Sequence, residues 1–88
     1  MLILDASKMT TREDAWAEIR TVLETPDYFG NNLDALYDVL TTTRAEIRLT
    51  GACKMLNALG SYGCRILGTF FDAAQANPYF SFTVGHHD

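Results

Sequence analysis

The chain has 88 residues, enough for one compact domain and too few for two with separate cores. Its composition, 48% hydrophobic, 11% aromatic and 20% charged, is that of a globular protein and excludes a disordered chain. Eleven Asp and Glu against seven Lys and Arg leave a formal charge of −4, which disfavours nucleic acid as a direct partner, because phosphates attract the opposite sign. The excess is local. Residues 21–43 carry Glu24, Asp27, Asp34 and Asp38 with no Lys or Arg, while the acids elsewhere are matched by the bases. A basic partner fits that segment.

In chain order, Leu2-Ile3-Leu4 is short and apolar and predicts a buried first strand. The N-terminus has no basic n-region, and its apolar run stops after four residues, so no signal peptide is expected. Thr10-Thr11-Arg12-Glu13 fits a capping box with Thr10 at the N-cap. Ala15, Ile19, Val22 and Leu23 at helical spacing, with Trp16 beside them, predict a first helix to about Glu24, ended by Thr25-Pro26-Asp27. Tyr28-Phe29-Gly30-Asn31 reads as a loop, and Asn32 as the N-cap of a second helix through about Leu40.

Ala45 to Leu49 alternates with period two and predicts a second strand, and Gly51 to Leu59 holds a short helix. Gly60, Gly63 and Gly68 punctuate the next segment, yet Ile66, Leu67, Phe70, Phe71 and Ala74 keep helical spacing until Asn77-Pro78 stops it. Tyr79 to Val84 reads as the last strand. Strands separated by helices favour a parallel sheet in one α/β domain over residues 1–88. The longest near-apolar stretch, Ile66 to Phe71, is far short of the ~20 residues that span a bilayer, so no membrane contact is expected.

The second helix carries the most pointed chemistry. At 100° per residue Leu33, Leu36 and Leu40 share a face extended by Val39, while Asp34, Tyr37, Asp38 and Thr41 share the adjoining one. Asp34, near the N-terminus, complements the helix dipole, which is worth ~0.3–1 kcal/mol at an exposed site. Asp38 sits where the dipole disfavours an anion, and its neighbours three and four residues away include no base. The flanking aromatics Tyr28, Phe29 and Tyr37 mark this face as an interface.

The run Tyr28-Phe29-Gly30-Asn31-Asn32-Leu33-Asp34-Ala35-Leu36-Tyr37-Asp38-Val39-Leu40-Thr41 resembles the signature of the barstar family of ribonuclease inhibitors, and a weaker match extends along nearly the whole chain. The resemblance implies a three-stranded parallel sheet packed against about four helices. It also implies a one-to-one complex with a small basic ribonuclease, whose active site the second helix and its preceding loop would plug. On that pattern Asp38 stands in for the RNA phosphate and Asp34 pairs with a second basic group. Tyr28 packs on the catalytic His, and Gly30 and Asn32 approach through the loop. Tyr37 and Thr41 make contact from the helix, and Asp72 forms a peripheral ion pair. The chain departs from the family's prototype where Tyr37 and Thr43 replace Trp, Asn31 replaces an acid, and Asp72 is a methylene shorter than the usual Glu.

Other constellations are weaker. Adjacent His86 and His87 point to opposite sides of an extended tail, so no metal is expected, and no cofactor motif occurs. Cys53 and Cys64 match no zinc spacing and are expected to be ordinary buried thiols in a reducing, cytoplasmic setting. The bases Arg44, Arg48, Lys54 and Arg65 are read as solvated surface. Asp34 and Asp38 lack the burial that raises a carboxylate pKa for catalysis, so the chain is not expected to be an enzyme. The expectation is a cytoplasmic inhibitor of a basic ribonuclease; the alternative is an acidic interaction or immunity module of the same fold with a basic partner that is not a nuclease.

Overall fold

A computed structural model describes residues 1–25 and 30–85. The elements are β1 (Leu2–Asp5), a 3-10 turn (Ala6–Lys8), α1 (Arg12–Leu23), α2 (Leu33–Leu40), β2 (Ala45–Thr50), α3 (Ala52–Leu59), α4 (Ser61–Ala76) and β3 (Phe80–Val84). The three strands form a parallel sheet in the order β1-β2-β3. This is the expected α/β architecture, with four helices.

The register aligns Leu4 with Leu49 and Ile47 with Phe82. Because side chains alternate across a strand, Leu4, Ile47, Leu49, Phe80 and Phe82 line one face, and all five are buried. The interleaved Ile3, Glu46, Arg48, Ser81 and Thr83 are exposed. The core is therefore a sandwich of one sheet face and the inner stripes of the helices. Those stripes supply Ala15, Trp16 and Ile19 from α1, Leu36 and Leu40 from α2, Met55 from α3, and Ile66, Phe70 and Ala73 from α4. Phe70 stacks on Phe82 at 4.7 Å between centroids, and Phe71 meets the same ring edge-on at 5.0 Å. Full burial of a side chain such as Phe70 is worth ~1.5–3 kcal/mol, so α4 clasps β3 from the helical side.

Several local expectations are corrected. The cap of α1 is Thr11, not Thr10: its Oγ1 accepts from the Asp14 amide at 3.0 Å. Its end agrees with the expected limit near Glu24: the helix closes at Leu23, with Glu24 as C-cap in the left-handed region at φ 51°. The 3-10 turn has no counterpart among the expected elements. It arises because the Asp5 carboxylate captures the Ser7 amide at 3.0 Å and the Ser7 hydroxyl as well. The bond from the Ser7 hydroxyl holds the Asp5 carboxyl below its ordinary value, against a smaller opposing effect of desolvation.

Gly51 follows β2 at φ 72°, and a Cβ there would lie 2.7 Å from the Ser7 amide nitrogen, so only glycine fits beneath the turn. Contrary to expectation both Cys53 and Cys64 are exposed, since α3 and α4 turn Met55, Ile66 and Phe70 inward and the thiols away. Neither is in a disulfide. The readings placed on Pro26, Asp27, Tyr28, Phe29, His86 and His87 lie outside the described residues.

Candidate docking face

The acidic helix is fixed at both ends by side chains. Asn32, in extended backbone at φ −147°, caps α2 by accepting the Ala35 amide on Oδ1 at 2.8 Å. The Asn32 amide in turn donates to the Gly30 carbonyl at 2.8 Å. A Cβ on Gly30 would lie 2.9 Å from Asn32 Nδ2, so any side chain there pushes on the capping amide. Leu36 and Leu40 are fully buried in the common core and Leu33 and Val39 half-buried, which seats α2 on α4. That seating turns Asp34, Tyr37 and Asp38 outward, all three exposed, with Thr41 half-buried beside them. Tyr37 is 36% exposed, a large aromatic in water beside two carboxylates.

The C-terminal end of α2 is closed by hydroxyls. Thr41 Oγ1 donates to the Asp38 carbonyl at 2.9 Å, and Thr42 and Thr43 Oγ1 donate to the Val39 carbonyl at 3.0 and 2.7 Å. Asn77 completes the closure from the far end of α4. Its Nδ2 donates to the Leu40 carbonyl at 2.9 Å and to the Thr43 carbonyl at 2.8 Å, while its Oδ1 accepts the Tyr79 amide at 3.0 Å. No base lies in the last turn of α2, and among the described residues no ion pair engages Asp34 or Asp38.

The N-terminal end differs. A concavity of about 360 Å³ opens there, lined by Arg12, Asn31, Asn32, Leu33, Asp34 and Tyr62. The Arg12 guanidinium lies 4.0 Å above the Tyr62 ring, and the Tyr62 hydroxyl accepts from Trp16 Nε1 at 3.0 Å. The fold thus brings a cation from α1 to the neighbourhood of Asp34, a neighbour that helical spacing could not reveal. Asn77 likewise reads in the sequence only as a helix stop; a buried Asn leaves no periodic signature.

Of the sequence-predicted residues, Gly30, Asn32, Asp34, Tyr37, Asp38 and Thr41 are gathered along α2 and its entry. Asp72 is exposed on α4, outside both the concavity and the α2 hydrogen bonds. Tyr28 and Phe29 fall outside the described residues. A larger concavity of about 440 Å³ along α1, lined by Lys8, Asp14, Ala17, Glu18 and Thr21, mixes both charges and holds no nucleophile-and-base pair. Among the described residues no three His, Cys, Asp or Glu side chains gather as a metal site, and no helix is long and apolar enough to cross a membrane.

What the α2 face offers is a set of fixed hydrogen-bond acceptors of negative charge, beside an aromatic ring, on a scaffold sealed from beneath. Such a surface is built to receive cationic groups. No curated protein matches the chain. The family model described as Barstar (barnase inhibitor) matches residues 1–86, covering every element above. The chain belongs to the barstar family, an inhibitor family and not a catalytic one.

Proposed function

We propose that this chain is a single-domain inhibitor that binds a small basic ribonuclease one to one and blocks its active site with α2 and the segment before it. The observation that carries the reading is Asp38: an exposed carboxylate near the unfavourable end of a helix dipole, with no ion pair among the described residues. A group the fold does not need, held by a frame that fixes it, is suited to a partner. An enzyme that binds RNA presents Arg, Lys and His to a phosphate, and a rigid carboxylate takes the same charge-assisted hydrogen bonds. Asp34 adds a second acceptor one turn earlier, and Tyr37 supplies apolar contact area. The family resemblance also assigns partner contacts to Tyr28, Phe29, Gly30, Asn32 and Thr41, and a peripheral ion pair to Asp72. The protein acts in the cytoplasm, where host RNA needs protection from such an enzyme, and it touches neither nucleic acid nor membrane.

The test is titration of barnase with the purified chain while RNA cleavage is followed. Loss of cleavage complete at one equivalent supports the reading. A basic host protein that binds the chain and cleaves no RNA, free or in the complex, moves the protein to the alternative, an interaction module with a partner that is not a nuclease.

A further inference from the structure

We infer that Asn77 is a positioning residue for the docking face, acting through the C-terminal end of α2; this rests on the ribonuclease-inhibitor reading above. Asn77 is the one buried polar residue among those described, 6% exposed, and every hydrogen-bonding group of its amide is used. Both donors go to carbonyls at the end of α2, Leu40 and Thr43, which lie 37 and 34 residues away in sequence. The Leu40 carbonyl, at the end of α2, takes the local Thr43 amide at 3.2 Å, and the Asn77 amide is its second donor and the one that comes from outside the segment. The acceptor goes to Tyr79, at the entrance to β3. One side chain therefore ties the end of α2 to the central layer of the fold.

The location explains why this matters for binding. α2 has only eight residues, about two turns, and an isolated helix of that length is unstable in water. Its N-terminus has the Asn32 cap, but at the other end the threonine hydroxyls bond within the segment itself and cannot fix its position. Leu36 and Leu40 hold the buried face; Asn77 holds the terminus that follows Asp38 by two residues. A carboxylate that replaces a phosphate must be placed before the partner arrives, since ordering it on contact lowers affinity. The side chain of Asn77 is buried and need not touch the partner to do this.

The experiment compares dissociation from barnase for the unmodified chain, Asn77→Asp and Asn77→Ala, each with and without Asp38→Ala. Asn77→Asp keeps the shape and the acceptor for Tyr79 but sets an anion against two carbonyls. Both variants should dissociate about tenfold faster with association changed by less than about twofold, and the same substitutions should lose most of their effect when Asp38 is already Ala. Dissociation is read only from folded, bound molecules, so a reduced folded fraction does not mimic the result. An equal effect in both Asp38 backgrounds, or none, overturns the positioning role.

If the unmodified chain fails to bind barnase, or Asp38→Ala alone changes nothing, it is the reading of the face that falls. Amide hydrogen exchange on the free protein then decides the role of Asn77. The Thr42 and Thr43 amides should be protected like those of β2, and Asn77→Asp should release them while β2 stays protected. Equal exchange with and without the substitution overturns it.

Discussion

The two ends of α2 carry one carboxylate each, and the fold treats them differently. At the N-terminal end Asp34 faces a favourable dipole, stands within a turn of the Asn32 cap and shares a concavity with Arg12. At the C-terminal end Asp38 meets an unfavourable dipole, and the threonine hydroxyls and the Asn77 amide there donate to backbone carbonyls. Asp34 is thus consistent with simple helix chemistry, and Asp38 is not. A charge that costs the folded chain something and returns nothing to it locates the function more sharply than one that suits its own helix.

Replacing each carboxylate by Ala tests this contrast most directly. Asp38→Ala should weaken binding to a basic ribonuclease by several kcal/mol, mainly through faster dissociation, a cost for which the barnase–barstar pair is itself the known example. The same substitution should leave the free protein as stable or more stable by a few tenths of a kcal/mol, because Ala favours helix and the dipole penalty disappears. Asp34→Ala should weaken binding less and give no such gain in stability. Urea unfolding and surface-bound kinetics on both variants measure the pair, and unchanged binding in Asp38→Ala breaks the comparison.

Asn32→Ala comes next. Loss of the cap should cost ~1 kcal/mol of folding stability, read as a lower urea midpoint at unchanged slope. Arg12→Ala should have a smaller effect. Removing a cation beside Asp34 makes the face more negative, so association with a basic partner should quicken by less than about threefold, and the change should vanish at high salt. A slower association would mean that Arg12 itself contacts the partner. The smallest effect is expected far from α2, at Asp5, whose carboxyl is held below its ordinary value by the Ser7 hydroxyl. A depressed folded-state pKa adds stability above the unfolded value, ~3.9 for Asp, and loses it as pH falls through the lower folded value. Asp5→Asn should therefore be less stable than the unmodified chain at pH 7 and equal to it in stronger acid; a constant difference across that range contradicts the assignment.

The parts of the fold governed by periodicity were legible in the sequence. The apolar stripe Leu33, Leu36, Leu40 with Asn32 before it defined α2 to the residue, and Glu46 and Arg48 between Ala45, Ile47 and Leu49 defined a strand with one wet face. The family signature then lay along the same helix. What escaped was set by tertiary contact or by competing local options. Thr10 and Thr11 each precede an acid by three residues, and sequence alone does not separate the two capping registers; packing of Ala15, Trp16 and Ile19 selects Thr11. The spacing of Ile66, Phe70 and Ala74 announced α4 and its end, but Gly60, Gly63 and Gly68 weaken a helix by propensity and hid its start at Ser61, where burial of Ile66 and Phe70 prevails. The inward reading of the cysteines rests on residue type and ignores the wheel, which sets both off the buried stripe. Arg12 beside Asp34 and Asn77 beneath Leu40 join positions too distant in sequence for any local pattern to pair.

Trp16 is the sole tryptophan of the chain, buried at 4% and bonded through its indole nitrogen to Tyr62, the ring on which Arg12 rests. Native fluorescence therefore comes from one indole in a nearly dry setting, whose emission should move to the red on unfolding. The same chain of contacts makes that indole an optical gauge of one end of the face. A ligand that shifts Arg12 disturbs Tyr62 and with it the light, whereas one confined to the neighbourhood of Asp38 leaves the signal dark to its presence.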